Sequence, residues 1–424
     1  MHNAHIKKQI RQGLVRDSSL LSGKDSFGRE ELRQAILQVF RDMNEREHLY
    51  VGGHEREKII EELLDELVGF GPIEALIKDP TVTEIMINGP QRVYVERVGK
   101  KELSTVTFED EEQLMYLVYR FLAPTRRRVD EMYPYTEISL PDGSRVNIII
   151  KPLALNGPIV TIRKFLKELK TIDDLIAHDT LDKRMADFLV AAIRAKVNIV
   201  FAGATGTGKT TTLNVLSSYI ANDERIVTIE DTAELRLSQD HVVRLEGRPA
   251  NIEGKGAVSI RDLFRNCLRM RPDRIILGEI RGDESLDMLQ AICSGHKGAL
   301  SVLHASSPQD VIYRIETMIL TSGVPISVEA IQRQIAAAVE LIVLQEQLVD
   351  GSRKITHITQ VNGLGKDKQV VLEDLFVFEF EALDPQGKAQ GKWRACGITP
   401  CFYEKLKKTG IDLSKSVFDD TQAS

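Results

Sequence analysis

Between Val197 and Thr212 the chain reads VNIVFAGATGTGKTTT, and residues of those types at that spacing could hold a polyphosphate. Gly203, Gly208, Lys209 and Thr210 satisfy G-x-x-x-x-G-K-[ST], with Ala204, Thr205, Gly206 and Thr207 inside the turn and Thr211 after it. Glycine lets the backbone curl its N–H groups around an anion where a side chain would block the approach. The Lys209 ammonium can reach the β- and γ-phosphates, and Thr210 offers a hydroxyl to Mg²⁺. A helix expected from Lys209 to Ile220 would aim its positive end at the same phosphates. The β-branched Val197, Ile199 and Val200 supply the strand that must deliver such a loop.

Three further groups of residues could act beside it. In RIVTIEDTAEL a strand Ile226 to Ile229 delivers Glu230, Asp231 and then Glu234. Carboxylates there could hold Mg²⁺ directly or through water or order an attacking water; the alternative is a helix N-cap by Asp231 or Thr232 with an acidic first turn. In RPDRIILGEIRGDE an apolar strand Ile275 to Leu277 ends at Glu279, with Gly278 where many phosphate-loop ATPases place an aspartate. Glu279 is the expected residue to polarise the attacking water and to touch Mg²⁺ through water, since phosphoryl transfer asks the protein mainly for positioning and charge; the alternative is a rim glutamate. In SGHKGALSVLHASSPQD, His296 precedes and His304 closes a strand Leu300 to Leu303. Histidines there could sense a γ-phosphate, or simply be hydrogen-bonded structural residues.

The elements that must position these groups follow from periodicity. A chain of 424 residues calls for two or three cores. Leu32, Ile36 and Phe40 mark a helix over Glu30 to Met43, and Ile59, Ile60, Leu63, Leu64 and Leu67 a second, stopped by Gly69-Phe70-Gly71-Pro72. Residues 1–72 are therefore read as an N-terminal helical segment with a flexible start. Residues 73–165 carry short strand-like runs (VTEIMING, VYVER, SRVNIII, IVTIRKF), one helix from Asp110 to Leu122 and a Pro141-Asp142-Gly143 turn, the pattern of an α+β domain. A linker at 166–171 leads to alternating strands and helices over 172–385, the signature of a doubly wound α/β domain, and residues 386–424 are expected as a small appendage.

Composition limits the function classes. No apolar run reaches the roughly 20 residues of a membrane span, since charges such as Glu340 in IAAAVELIVL interrupt each candidate. With no apolar leader in MHNAHIKKQIRQG, a cytoplasmic location is expected. Cys267, Cys293, Cys396 and Cys401 form no C-x-x-C pair, so neither zinc nor a disulfide framework is suggested. A net charge of −6 discourages nucleic-acid binding, despite local basic clusters at Arg126–Arg128, Lys164–Lys170 and Lys405–Lys408.

In order along the chain, GATGTGKT, IEDTAEL, LRMRPDRIILGEIRG and SGHKGALSVLHASS closely resemble the Walker A, Asp box, Walker B and His box of the type II/IV secretion ATPases. LLDELVGFGPIEALIKDPTVTEIMINGPQRVYVERVGK and LPDGSRVNIIIKPLALNGPIVTIRKF resemble the branch containing CpaF, the motor of tight-adherence (Tad/Flp) pili. The resemblance implies a RecA-like domain binding ATP and Mg²⁺ between two domains of a subunit, and a homo-oligomeric ring, usually a hexamer. It also implies docking on an inner-membrane platform protein, peripheral to the cytoplasmic face. Glu230, Asp231, Glu234, Glu279, His296 and His304 take catalytic-box roles, and Arg145 and Arg163 match phosphate-sensing arginines. The chain departs from the pattern at Ser139, Lys297, Gln347 and Gln360. The expected function is an ATP-hydrolysing motor for pilin insertion or protein export. The alternatives are a non-hydrolysing nucleotide-gated scaffold and a DNA-transfer motor.

Overall fold

In the computed structural model, residues 6, 10, 29–47, 52–67, 69–97, 99–125, 127–164, 171–248, 255–408, 410 and 413–419 are described. The expected linker positions 166–170, Arg126 and most of the Lys164–Lys170 cluster lie outside them. The chain divides into two compact units, 1–167 and 168–424.

The N-terminal unit opens on two helices, α1 (Arg29–Glu47) and α2 (Gly53–Leu67). Their apolar stripes face each other: Ile36, Val39 and Phe40 pack with Ile59, Ile60, Leu63 and Leu64, and Ile6 and Ile10 join the same cluster. After the short α3 (Glu74–Lys78), six antiparallel strands follow: β1 (Val82–Asn88), β2 (Val93–Arg97), β3 (Lys100–Leu103), β4 (Tyr135–Ser139), β5 (Arg145–Ile149) and β6 (Ile159–Arg163), in the order β3-β2-β1-β6-β5-β4. Helix α4 (Glu111–Leu122) is capped by Asp110, whose carboxylate accepts the Gln113 N–H at 2.8 Å. It buries Leu114, Leu117, Val118 and Phe121 against Val82, Ile85, Ile87, Val146, Ile148, Val160 and Ile162. Strand β3, all of it exposed, and β4, which buries only Thr136 and Ile138, escape the sequence reading because neither carries a run of apolar residues to mark it.

The second unit begins with α5 (Ile172–Ala177) and α6 (Lys183–Arg194), then β7 (Ile199–Ala202), α7 (Lys209–Ser217), β8 (Ile226–Glu230), β9 (Val242–Glu246), α8 (Ile260–Cys267), β10 (Arg274–Leu277), α9 (Glu284–Cys293), β11 (Leu300–Leu303), α10 (Pro308–Thr321) and α11 (Val328–Ala338). Strands β12 (Leu341–Gln347), β13 (Arg353–Leu364), β14 (Val370–Leu383) and β15 (Ala389–Ala395) follow, with a last short helix α12 (Tyr403–Lys407). The sheet order is β15-β14-β13-β12-β7-β11-β10-β8-β9, parallel from β12 to β9 and antiparallel through β13 to β15.

Alternation divides the core in two. Ile199, Phe201, Ile276, Leu300, Val302, Leu341 and Val343 face α6 and α7, while Val200, Ala202, Ile275, Leu277, Ile342 and Leu344 face α8 to α11. Helices thus cover both faces, which is why the central strands read as continuous apolar runs. The segment expected as an appendage extends this body: β15 is the edge strand of the same sheet, and Trp393, Phe402, Tyr403, Leu406, Leu413 and Phe418 lie in the α6–α7 cluster. The Trp393 indole N–H donates to the Ile355 carbonyl at 2.8 Å, and Lys405 pairs with Glu340 at 2.9 Å.

Candidate functional site

The glycine-rich loop follows the carboxyl end of β7, which is flanked by β11 and β12, and runs into α7. Two of its glycines answer to β12. A Cβ at Gly203 would stand 2.1 Å from the Gln345 carbonyl oxygen, and one at Gly208 would stand 3.0 Å from Gln345 Nε2. Gly208 also adopts φ +97°, in the left-handed region that side chains disfavour, as it opens α7. The buried Gln345 side chain accepts the Thr212 hydroxyl at 2.8 Å, so β12 braces both ends of the loop. Lys209 is buried inside it and donates to the Ala204 carbonyl at 2.6 Å, while Thr207 Oγ1 donates to the same oxygen at 3.0 Å. Thr205 and Gly206 form the crest, and Thr210 and Thr211 lie in the first turn of α7.

At the end of β8, Glu230 is buried, and its Oε1 accepts the backbone N–H groups of Glu234 and Leu235, each at 2.8 Å. No helix follows, so the N-cap alternative for Asp231 and Thr232 does not occur; the segment 231–239 runs without regular structure. Burial pushes the Glu230 carboxyl above the usual carboxylate range, against those two amide bonds and the charge of Arg244. Its Oε2 is buried with no hydrogen bond, an acceptor suited to a water-coordinated cation. A Cβ at Gly278 would lie 2.7 Å from Glu230 Cγ, so the position where an aspartate is common is closed by the glutamate beside it.

Glu279 follows on β10. Arg281 Nη2 donates to its Oε2 at 2.8 Å, and His304 Nε2, just past the end of β11, lies 3.2 Å from its Oε1. Arg281 Nη1 lies 3.3 Å from Asp231 Oδ2. Burial raises the Glu279 carboxyl, but the Arg281 bond and the charges of Arg281, His304 and Lys209 outweigh it and hold the group below the usual range. His304 is held below the usual histidine value by burial and by Lys209, against the pull of Glu279. Lys209 therefore acts on both, and Asp231, Glu279, His304 and the loop lysine form one charged site at the carboxyl ends of β7, β8, β10 and β11.

His296 lies elsewhere. It precedes the amino end of β11, a four-residue strand about 13 Å long, while His304 follows the carboxyl end. Its Nδ1 is 3.2 Å from the Ala291 carbonyl, and with Lys297 it borders a small cavity lined by Phe264, Ile275, Met288 and Ala299. Arg145 and Arg163 are directly opposed on β5 and β6, in a row that runs from Ser139 on β4 to Glu84 on β1. Of the other departures, buried Gln360 donates to Glu373 and accepts the Cys401 N–H, each at 2.8 Å. Arg281 and Gln345 went unread in the sequence. Arg281 stands two residues past Glu279, and Gln345 is a polar residue in the apolar strand LIVLQ, a signal that could have marked it. Among the described residues no group of three or more His, Cys, Asp or Glu converges as metal ligands, and no helix is long and apolar enough to cross a membrane.

A phosphate loop at a central parallel strand, with acidic residues ending two neighbouring strands, defines the class: a RecA-like P-loop α/β protein. The chain belongs to the family described as type II/IV secretion system protein, whose match spans residues 66–401. A Mycobacterium tuberculosis protein provisionally named for conjugal transfer is 32% identical over 302 residues, covering 70% of this chain and 85% of that one. The type IV secretion system protein PtlH of Bordetella pertussis is 38% identical over 265 residues, 56% of this chain and 76% of its own. Among solved structures, the VirB11 ATPase of the Brucella suis type IV secretion system, in complex with sulphate, shares 30% identity over 68% of this chain and 95% of that one, at a TM-score of 0.38.

Proposed function

We propose that this chain is an ATP-hydrolysing motor of a secretion or Tad/Flp-type pilus system, working as a homo-oligomer, a hexamer by family resemblance, at the cytoplasmic face of an inner-membrane platform protein. One observation carries the hydrolytic reading: Glu279 is oriented by Arg281 and His304 within the field of the loop lysine. A purely binding loop needs no such carboxylate.

In this reading Gly203 to Thr211 wrap the phosphates with backbone N–H groups, and Lys209 leaves the Ala204 carbonyl for the β- and γ-phosphate oxygens. The Thr210 hydroxyl, with Glu230, Asp231 and Glu234 through water, would hold Mg²⁺, and the open Oε2 of Glu230 supports that fit. Bound there, the cation supplies charge neutralisation between phosphates. Glu279 accepts a hydrogen bond from the attacking water and aligns it, while neutral His304 steadies the carboxylate. Arg145 and Arg163 are the proposed phosphate-sensing pair. His296, before the amino end of β11, has no proposed part in the chemical step.

Steady-state hydrolysis of Mg-ATP by wild type and Glu279→Gln, with ATP binding and particle mass measured on both, tests the proposal. An oligomeric wild type that turns over, and a variant that binds ATP but has lost about a hundredfold or more of kcat, is the expected result. Tight binding by a formed oligomer with no hydrolysis would move the reading to a nucleotide-gated scaffold. The similarity to a protein named for conjugal transfer favours a second reading, a DNA-transfer motor. Stimulation of turnover by DNA rather than by anionic lipid or platform peptide would support it, against a net charge of −6.

A further inference from the structure

Each oxygen of Glu279 is met from a different side, and the guanidinium on one of them also reaches the end of the neighbouring strand, 3.3 Å from Asp231 Oδ2. The backbone that presents this guanidinium is pinned. Buried Glu284 accepts the N–H groups of Arg281 at 2.6 Å and Gly282 at 2.9 Å, and the Ile280 N–H donates to Val302 on β11 at 2.9 Å. An exposed ion pair on an unfixed loop contributes little. A planar, five-donor fork on a fixed backbone between two carboxylates instead sets how those carboxylates point.

We infer that Arg281 is a positioning residue for ATP hydrolysis: it couples Asp231 at the end of β8 to Glu279 at the end of β10 and fixes the Glu279 carboxylate in the orientation that receives the attacking water. The inference rests on the hydrolytic reading above. Orientation fixed before the reaction lowers the barrier without adding substrate contacts, so its loss should fall on kcat and on transition-state affinity rather than on ground-state binding. The Arg281 and Asp231 side chains are 57% and 47% exposed, so both can be replaced without opening the core.

The test uses the full chain and compares wild type with Arg281→Gln, Arg281→Lys, Asp231→Asn and the double variant Asp231→Asn/Arg281→Gln. Two quantities are read: kcat and KM for Mg-ATP, and the ratio of ADP dissociation constants with and without aluminium fluoride, which mimics the transferring phosphoryl group without turnover. Arg281→Gln should lower kcat about tenfold or more while KM and the ADP constant stay within about threefold, and the aluminium fluoride preference should shrink with kcat. Arg281→Lys keeps the charge without the fork and should recover only part of the loss. The double variant should lose little more than the more damaged single variant, because both substitutions break one coupling. A kcat for Arg281→Gln at or above wild type with its aluminium fluoride preference intact overturns the inference, as do single losses that multiply in the double variant. A wild type that neither hydrolyses ATP nor prefers ADP with aluminium fluoride overturns the hydrolytic reading and this inference with it.

Discussion

At Gly278 a methyl group would stand 2.7 Å from Glu230 Cγ, so Gly278→Ala has to displace the buried carboxylate whose Oε1 holds two backbone amides. We expect it to cost about 1–3 kcal/mol in urea unfolding and to weaken the Mg²⁺ dependence of nucleotide binding, which a magnesium titration of a fluorescent ATP analogue would read. The pH response is also set by single residues. The folded value of His304 lies below its ordinary 6.5 because of burial and the Lys209 charge, with Glu279 opposing and Arg281 and Arg314 adding to the depression. It stays neutral above 6.5; below that, the unfolded chain takes up the proton more readily, so the stability His304 contributes declines as pH falls. Hydrolysis should be flat from about pH 6.5 to 8 and fall only in more acidic solution; a rise in rate on acidification to pH 6 would contradict a neutral His304. Burial pushes the Cys267 thiol up to about 12, so it should resist an aromatic disulfide reagent in the folded chain at pH 8 and react once urea unfolds it.

Elements are held in register by polar groups at strand ends as well as by the apolar layers. Arg274, wholly buried at the start of β10, donates to Glu224 before β8 at 2.8 Å, to the Ile193 carbonyl at the end of α6 at 2.6 Å and to the Gly298 carbonyl before β11 at 3.2 Å. A Cβ at Gly298 would meet the guanidinium at 2.3 Å, so that glycine makes room for it. Arg274→Met should leave Glu224 with only Lys196 and cost about 3 kcal/mol in denaturant unfolding, far more than an exposed pair such as Lys151–Glu111 would. Burial raises the Glu224 carboxyl, but the bonds from Arg274 and Lys196 prevail and hold it below the ordinary 4.5. Its contribution is therefore full above that value and lost as pH drops through the lower folded one. In acid the wild type should lose stability that Arg274→Met no longer has to lose.

At the scale of the whole molecule, each unit has its own apolar clusters among the described residues: two in the N-terminal unit, around α1–α2 and around the six-stranded sheet, and two across the large sheet. Residues 171–424 contain the loop, its β12 brace, the carboxylates and both histidines. Expressed alone, this stretch should fold cooperatively and bind an ATP analogue, and a heat-capacity scan of the full chain should resolve more than one transition. Truncation at residue 385 is expected to abolish that folding, since it removes β15 together with Trp393, Phe402 and Phe418 from the α6–α7 cluster. Survival of the truncated chain with a native unfolding midpoint would refute the integration of that segment.

The phosphate loop, the strands Ile226–Glu230, Arg274–Leu277 and Leu300–Leu303, and the carboxylates that end the first two were legible in the sequence. Each depends on local spacing: a glycine-lysine-threonine turn, a β-branched run and a polar residue where the run stops. The α1 and α2 stripes were legible for the same reason. Local spacing set His296 and His304 at opposite ends of one strand, but only the parallel pairing of β11 with β7 shows that the His304 end meets the phosphate loop and the His296 end does not. Nor could local spacing show that Gly278 yields to Glu230, that Gln345 closes over two loop glycines, or that Arg281 joins Asp231 to Glu279. Apart from the bond between Arg281 and Glu279, those contacts link positions far apart in the chain, brought together by a sheet whose strand order departs from chain order. The exposed strand β3, and β4 and β15 with only two buried side chains apiece, were decided there too, since backbone pairing with a neighbour supplies what their sparse apolar residues cannot signal.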